Sequence, residues 1–386
     1  MWIVTTQWRA QATGYAGNLN VRTPAIDALA ARSVNFTQAV TPHPFGPFAR
    51  AAMLTGVLSP DNGVRDYFDP LPVTTRTIAH RLGERGYETG FFGKWHLWER
   101  DPAASLVGGV HARIVVPPEA RGGFQFWEGF ESGFQLNDPW LHGTRLAEPV
   151  RVAGYQSDVL CGRASLWMAD QNKTAKTSKA VAQAPWFCMV SLEAPHPPYD
   201  APAAGIQPQD LANIQLAANV PRGGEVEQKA RRELAGYYAH IEATDRAIGR
   251  LLELVSDEVL VVFTSVHGDM HGAHGLFRKG WPYDESVRVP LLMRLPGGLA
   301  AVREDAVSLV DLPRLIKEFL DHGALPVIEA ETAHISMPCV VPLLHQCDRV
   351  WHGRRSKTRK QVFSTNGPLW LDFDLKNDPS ETTNQA

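Results

Sequence analysis

The segment Phe45-Gly46-Pro47-Phe48-Ala49-Arg50-Ala51-Ala52-Met53-Leu54-Thr55-Gly56 is a nearly uncharged run that carries one arginine, Arg50. We predict a helix over residues 48–54 that ends at Gly56, because glycine readily takes the left-handed conformation that closes a helix. The segment contains neither cysteine nor serine, two residue types that commonly supply catalytic nucleophiles.

Predicted strands and helices alternate along most of the chain. Apolar and β-branched runs predict strands over residues 2–6, 35–40, 87–93, 186–193 and 258–265. Capping residues and apolar periodicity predict helices over residues 24–31, 74–85 (or 75–85) and 225–255. This alternation favours an α/β fold in which a mostly parallel sheet is covered by helices on both faces.

The chain divides into three parts by composition. Residues 1–330 are predicted to form the α/β domain, and residues 331–386 a small antiparallel subdomain. Residues 100–155 are rich in glycine and proline, so we predict a loop-rich insertion over the sheet edge. Trp127 and Trp140 in this insertion are predicted to pack in the structure, with a ring-binding role as the less favoured alternative.

Charge and composition exclude several classes of function. The chain has 386 residues and a net charge of −3, which gives no indication of nucleic-acid binding. No apolar run approaches the length of about 20 residues that crosses a bilayer. The N-terminus leads directly into a strand-like segment, which favours a cytoplasmic protein or a chain trimmed to its mature start. Cys161 and Cys188 are predicted to be buried free thiols.

Six further motifs follow in order along the chain. They are Thr23-Pro24-Ala25-Ile26-Asp27-Ala28-Leu29-Ala30, Gly90-Phe91-Phe92-Gly93-Lys94-Trp95-His96, Ala194-Pro195-His196-Pro197-Pro198, Thr264-Ser265-Val266-His267-Gly268-Asp269, Lys279-Gly280-Trp281-Pro282-Tyr283-Asp284-Glu285-Ser286-Val287-Arg288-Val289-Pro290 and Asp374-Leu375-Lys376-Asn377-Asp378-Pro379-Ser380-Glu381. Together with the opening segment they resemble the motifs of the sulfatase family, whose signature is Cys-x-Pro-Ser-Arg-Ala-x-x-x-Thr-Gly. The resemblance implies an alkaline-phosphatase-like architecture and a site that hydrolyses sulfuric esters, as formylglycine-dependent arylsulfatases do. Close relatives of that family hydrolyse phosphonate or phosphate monoesters.

The resemblance also implies roles for individual residues. Lys94 and Lys279 would hold sulfate oxygens, Arg50 would contact the nucleophile and the substrate, His196 would serve the anion or leaving group, and His96 would support the nucleophile. The family's nucleophile is a cysteine oxidised to formylglycine. Counting back from Arg50 puts Gly46 in that position, whereas a Cys-Gly-Pro-Phe alignment puts Phe45 there. Neither side chain can act as a nucleophile.

The family's metal ligands are replaced as well. The family binds Ca²⁺, or Mg²⁺ or Mn²⁺, with aspartates where this chain has Thr5, Thr6 and Val266, while His267 is retained. Hard divalent cations need several negatively charged oxygen ligands, so we expect an empty metal site and no cofactor in this chain. A zinc or manganese site relocated to His267, Asp269, His271 and His274 is a less favoured alternative.

The predicted function follows from what is kept and what is replaced. We expect a sulfatase-family protein with very low or no turnover, whose partner is a small sulfate ester or the sulfate anion. A non-catalytic sulfate-binding pseudoenzyme and a phosphonate or phosphate monoester hydrolase are the alternatives. No nucleic acid or membrane partner is expected, and the oligomeric state stays open.

Overall fold

The computed structural model describes residues 1–177, 184–298, 300–365 and 367–386. Within these ranges, one large sheet has ten strands. In chain order they are β1 (Trp2–Thr5), β2 (Val34–Phe36), β3 (Glu88–Lys94), β4 (Phe126–Phe130), β5 (Trp140–Gly143), β6 (Val150–Arg151), β7 (Trp186–Ser191), β8 (Val261–Ser265), β9 (Leu291–Arg294) and β10 (Ala301–Arg303).

The centre of this sheet is parallel. The strand order is β10-β2-β9-β8-β1-β7-β3-β4-β5-β6, and β8, β1, β7, β3 and β4 run in the same direction. Antiparallel pairs enter through β9 on one side and through β5 and β6 on the other. The mostly parallel centre of the sheet confirms the predicted fold class. The carboxyl ends of these parallel strands meet along one edge of the sheet.

Helices cover both faces of the sheet. They are α1 (Pro24–Ala30), α2 (Gly46–Thr55), α3 (Ile78–Glu84), α4 (Gly109–Ala112), α5 (Gln156–Thr177), α6 (Glu225–Leu252), α7 (Asp284–Val287) and α8 (Leu312–His322). Trp2 and Val4 face an apolar cluster shared with α2, α3 and α8. Ile3, between them, faces a second cluster shared with α1, α5 and α6. This alternation is the period of two that a strand buried on both faces requires.

Helix α2 carries the segment that opened the sequence analysis. It begins at Gly46, two residues before the predicted start, with Pro47 in the first turn, where its missing N–H costs no hydrogen bond. It ends at Gly56, whose φ of 74° is the predicted left-handed closure. Helix α3 begins later than predicted, at Ile78, because Thr77 is the capping residue that accepts a hydrogen bond from Ala79 N at 3.1 Å.

The insertion over residues 100–155 is more regular than predicted. It contributes β4, β5 and β6, which extend the large sheet at one edge. Trp127 is fully buried on β4 and stacks on Phe91 with ring centroids 5.6 Å apart, so it is a packing residue. These strands gave no periodic signal in the sequence, because their apolar faces are only two or three residues long and the segment is rich in glycine and proline.

The C-terminal segment forms a second, four-stranded antiparallel sheet. Its strands are β11 (Ala333–Met337), β12 (Trp351–Arg355), β13 (Arg359–Ser364) and β14 (Leu369–Asp374), in that order. Trp351 of β12 joins the same apolar cluster as Trp2, so this sheet packs against the main body. That residues 1–330 and 331–386 are separate domains stays a prediction.

The state of the cysteines and the lengths of the helices can be compared with the sequence-based predictions. All four cysteines are free, and Cys161 and Cys188 are buried as predicted. Among the described helices, none combines the length and apolar character that a membrane span needs.

Candidate oxyanion site

A cavity of about 340 Å³ opens at the carboxyl ends of the central strands. Thr6 follows β1, Lys94 ends β3, and His267 follows β8, so the fold itself brings these residues together. Gly46, at the start of α2, lies in the same wall. Ligands of open α/β sheets commonly bind at this kind of edge.

Most of the residues singled out by sequence meet at this cavity. The eight that line it are Thr6, Phe45, Gly46, Lys94, His96, His196, His267 and Lys279. Thr5 and Val266 are instead buried in strand packing, where the Val266 N–H donates to the Thr5 carbonyl at 2.9 Å. The roles of these residues in catalysis or metal binding stay predictions.

Arg50 lies beside the cavity with its terminal nitrogens bonded to protein atoms. Nη1 donates to Ser191 Oγ at 2.6 Å and to the Lys94 carbonyl at 3.0 Å, and Nη2 donates to Thr6 Oγ1 at 2.9 Å. Burial lowers the pKa of Arg50 to about 10, which leaves the guanidinium charged at neutral pH. Arg50 therefore holds the strand ends in place and brings positive charge to the cavity wall.

Lys94 is paired with a carboxylate that the sequence analysis did not single out. Its Nζ lies 2.6 Å from Glu193 Oε1, and the ring centroid of Phe134 is 4.3 Å from the same nitrogen. Burial lowers the pKa of Lys94 to about 8, while Glu193 opposes the shift. Glu193 therefore compensates the charge of Lys94 inside the protein.

Lys279 is held by a chain of buried polar groups. Its Nζ donates to Gln7 Oε1 at 2.8 Å and to His196 Nε2 at 3.1 Å. Gln7 Nε2 in turn donates to the Asp269 carboxylate, which also accepts from the Tyr199 hydroxyl at 2.6 Å. Burial lowers the pKa of Lys279 to about 7, with Asp269 opposing the shift.

The three histidines of the cavity are uncharged. Burial and the neighbouring lysines hold the pKa values of His196 and His267 well below the usual range. His267 Nδ1 donates to the Gly268 carbonyl at 2.9 Å, so its Nε2 carries a lone pair. The Nε2 atoms of His96 and His267 are buried without a hydrogen-bond partner. Unpartnered polar atoms beside a cavity are typical of a ligand site.

Apolar and aromatic side chains also line the cavity, and the exposed Val107 and Leu344 lie at its mouth. The full set comes from the opening segment, the loop after it, the insertion and the C-terminal part: Phe45, Tyr67, Leu106, Val107, Phe134, Leu343 and Leu344. Phe134 stacks on His196, with ring centroids 4.5 Å apart and planes 5° from parallel. The insertion thus reaches the cavity through Phe134, whereas Trp127 and Trp140 are not among its lining residues.

A second buried acid lies behind the cavity. Glu131 accepts from the Leu97 N–H at 3.3 Å and lies 3.5 Å from Arg100 Nε. Burial raises the pKa of Glu131 to about 7. Glu193 could have been suspected from sequence because it ends the predicted strand 186–193. Glu131 gave no such signal, because it lies in the insertion.

The histidine-rich segment after β8 does not form one cluster. His267 lines the cavity, whereas His271 packs against Tyr237 with ring centroids 4.3 Å apart. His274 stacks on Tyr283 at 4.0 Å, in different surroundings again. The alternative of a transition-metal site made by this segment alone is therefore wrong, because the three imidazoles lie in separate environments.

Comparison with known proteins shows which family this chain belongs to. The sequence model of the sulfatase family matches residues 1–322. The chain is 34% identical over 310 residues to an ulvan-active sulfatase of Formosa agariphila, covering 77% of this chain and 56% of that protein. It is 27% identical over 448 aligned residues to an arylsulfatase of Clostridium perfringens, covering 99% of this chain and 89% of that protein. The matched part thus spans little more than half the length of the ulvan-active relative.

A solved structure shares the fold. The phosphonate monoester hydrolase of Agrobacterium radiobacter superposes with a TM-score of 0.72 at 22% identity, covering 99% of this chain and 90% of that one. At this level of identity the likeness shows the architecture of the sheet and its helices.

Proposed function

The chain belongs to the sulfatase family, and we propose that its cavity binds a tetrahedral oxyanion, sulfate or the sulfate group of a small ester, with little or no turnover. The observation that carries the proposal is the convergence of two lysines, Lys94 and Lys279, on one cavity beside the buried Arg50. A tetrahedral anion spreads its charge over several oxygens, and fixed cations around it stabilise that charge.

Low turnover is proposed because the cavity offers no nucleophile at the family position. Gly46 has no side chain, and Phe45 packs its ring edge-on against Tyr67 with centroids 5.4 Å apart. A Cβ built on Gly46 would lie 2.8 Å from His96 Nδ1, so the imidazole occupies the space that a nucleophile's side chain would enter. Without a covalent intermediate, the family's route loses several orders of magnitude in rate.

The residues at the family's metal positions do not fit a hard divalent cation. The Thr5 hydroxyl donates to the Thr264 carbonyl at 3.3 Å, and the Thr6 hydroxyl donates to the Leu192 carbonyl at 3.0 Å. Val266 has no ligand atom in its side chain. The nearby Gln7 Oε1 already accepts from the Lys279 ammonium at 2.8 Å. Calcium and magnesium need several anionic oxygens, so we propose oxyanion binding without a metal.

The apolar part of the cavity lining favours an anion that carries a small apolar group. Phe134 and Tyr67 line the cavity with aromatic rings, and Leu343 and Leu344 line it with aliphatic groups. A volume of about 340 Å³ accommodates one sulfate group together with one aromatic ring.

Calorimetry tests the proposal. We expect sulfate and 4-nitrophenyl sulfate to bind at low ionic strength, and Lys279→Met to weaken both by about tenfold to a hundredfold, since a charge-assisted hydrogen bond is lost. Lys317→Met is the matched control, because Lys317 is an exposed lysine of α8 that pairs with Asp321. Inorganic phosphate and a phosphonate monoester in parallel would show whether the cavity prefers the other family anions. No binding of any of these anions at low salt would refute the proposal.

A rescue experiment separates a disabled enzyme from a binding protein. The combined variant Thr5→Asp, Thr6→Asp, Val266→Asp and Gly46→Cys restores the family residues and is assayed with a divalent cation after formylglycine formation. Turnover of 4-nitrophenyl sulfate would mark the chain as a disabled enzyme. Binding without turnover in this variant would support an oxyanion-binding protein whose site has diverged further.

A further inference from the structure

A second cluster of potential ligands lies outside the cavity, where the loop that carries Lys279 meets the C-terminal tail. His274 comes from the turn before this loop, Glu285 from helix α7 after it, and Glu381 from the tail beyond β14. One ligand atom from each of the three lies within 4.8 Å of the other two. Glu285 is 8% exposed and Glu381 is 2% exposed.

Hydrogen-bond acceptors outnumber donors in this cluster. Asn219 Nδ2 has two hydrogens but contacts three acceptors: His274 Nε2 at 3.1 Å, Glu285 Oε1 at 2.8 Å and the Ser380 carbonyl at 3.1 Å. Two further acceptor atoms, Glu285 Oε2 and Asn219 Oδ1, are buried without any hydrogen-bond partner. An excess of buried acceptors around one point is the arrangement that a bound cation satisfies.

Ion pairs with Lys360, Arg355 and Arg288 compensate Asp284 and Glu381 beside the cluster, but not Glu285. Lys360 Nζ lies 2.6 Å from Asp284 Oδ1 and also contacts Glu381 Oε1, while Arg355 forms a bidentate pair with Asp284. Among the described residues, no cationic side chain forms an ion pair with Glu285.

We propose that His274, Glu285 and Glu381 bind one divalent transition-metal ion of the zinc or manganese class. One imidazole nitrogen and two carboxylates suit these ions, whereas calcium and magnesium prefer oxygen ligands alone. The Asn219 amide supplies Oδ1 as a fourth ligand when it rotates about its terminal bond. The bound ion ties both ends of the loop 274–285 to the C-terminal tail, and Lys279 lies within that loop.

Metal titration tests this site independently of anion binding. The chelator-treated full chain is titrated with zinc chloride and manganese chloride by calorimetry, with thermal unfolding as a second readout. We expect one equivalent to bind and to raise Tm, because a ligand that binds only the folded state stabilises it. His274→Gln and Glu285→Gln should each weaken binding by about tenfold to a hundredfold, as loss of a contributing group at a metal site does.

His322→Gln is the matched control. His322 is an exposed histidine that lies 3.4 Å from Glu318, so it represents weak surface binding of the same metals. If His322→Gln abolishes the bound equivalent, or if neither ion binds, the proposal is overturned. Should either cluster variant fail to fold, anomalous diffraction from zinc-soaked crystals of the unaltered chain decides the matter. A peak between His274, Glu285 and Glu381 supports the site, and peaks only at surface histidines refute it.

Discussion

Lys94 Nζ lies 2.6 Å from Glu193 Oε1, and at most 1% of either side chain is exposed. Gln156 holds the other carboxylate oxygen of Glu193, with Nε2 donating at 3.3 Å. The cavity therefore contains one compensated lysine, Lys94, and one lysine, Lys279, whose direct partners are uncharged. An incoming oxyanion would neutralise Lys279 most directly.

Removing the acid of this pair should destabilise the protein strongly. Glu193→Gln leaves the Lys94 ammonium buried without a counter-ion, and we expect a loss of about 3–5 kcal/mol in the free energy of unfolding. Urea unfolding measures it. The double variant Glu193→Gln with Lys94→Met removes both charges and should recover a large part of the loss. A double variant as unstable as Glu193→Gln would show that the pair matters for packing and not for charge.

Adding a side chain at position 46 should also be costly. Gly46→Ala places a Cβ 2.8 Å from the buried His96 Nδ1, and we expect a loss of about 1–3 kcal/mol in the free energy of unfolding. Gly83→Ala is the control, because Gly83 lies in helix α3 with open space around its Cβ position. There we expect a gain of about 0.5–1 kcal/mol from helix propensity. Equal effects of the two substitutions on thermal unfolding would contradict the contact with His96.

Anion affinity should fall as pH rises through neutrality. Burial lowers the pKa of Lys279 from 10.5 to about 7, so the lysine loses its charge between mildly acidic and mildly basic pH. Sulfate favours the charged form, and its affinity should therefore be higher below pH 7 than above it. Calorimetry across this pH range measures the effect. In Lys279→Met, sulfate affinity should no longer fall as pH rises through 7. An affinity that rises with pH would contradict this assignment.

The same shift predicts a pH dependence of stability with the opposite direction. Between the folded pKa of about 7 and the unfolded value of 10.5, the unfolded chain binds more protons at Lys279 than the folded chain does. The contribution of Lys279 to stability therefore increases as pH rises across this window. Comparison of Lys279→Met with the unaltered chain in urea at several pH values isolates the contribution. A difference that stays constant from neutral to basic pH would argue against a lowered pKa.

Phe134 should discriminate between sulfate and its aromatic ester. Phe134→Ala removes an aromatic ring of the cavity lining, one that stacks on His196 and lies 4.3 Å from Lys94 Nζ. We expect 4-nitrophenyl sulfate to bind about tenfold more weakly, in line with the value of an aromatic contact, and inorganic sulfate to change less. Phe363→Ala, in a stacked pair with His352 on the second sheet, is the control. If both ligands lose affinity equally, Phe134 acts by positioning His196 and does not contact the aromatic ring of the ester.

Local sequence motifs predicted the strand ends and the cavity residues. At these positions the strand, the loop that follows it and the side chain that lines the cavity are close together in sequence. Lys94 directly follows the predicted strand 87–93, and His267 lies two residues after the predicted strand 258–265. Glu193 was missed because its pairing with Lys94 crosses 99 positions of sequence. Strands β4 to β6 were missed because their apolar faces are too short to show a period. His274 was considered as a metal ligand, but with neighbours in sequence, whereas Glu285 and Glu381 are brought to it by the fold.

The most direct test of the account is a crystal structure grown without sulfate and soaked in selenate, a tetrahedral anion with a strong anomalous signal. We expect one selenate in the cavity within hydrogen-bonding distance of Lys279 Nζ, and its loss in crystals of Lys279→Met. Selenate found only on the protein surface, with the cavity holding none, would contradict oxyanion binding by this chain.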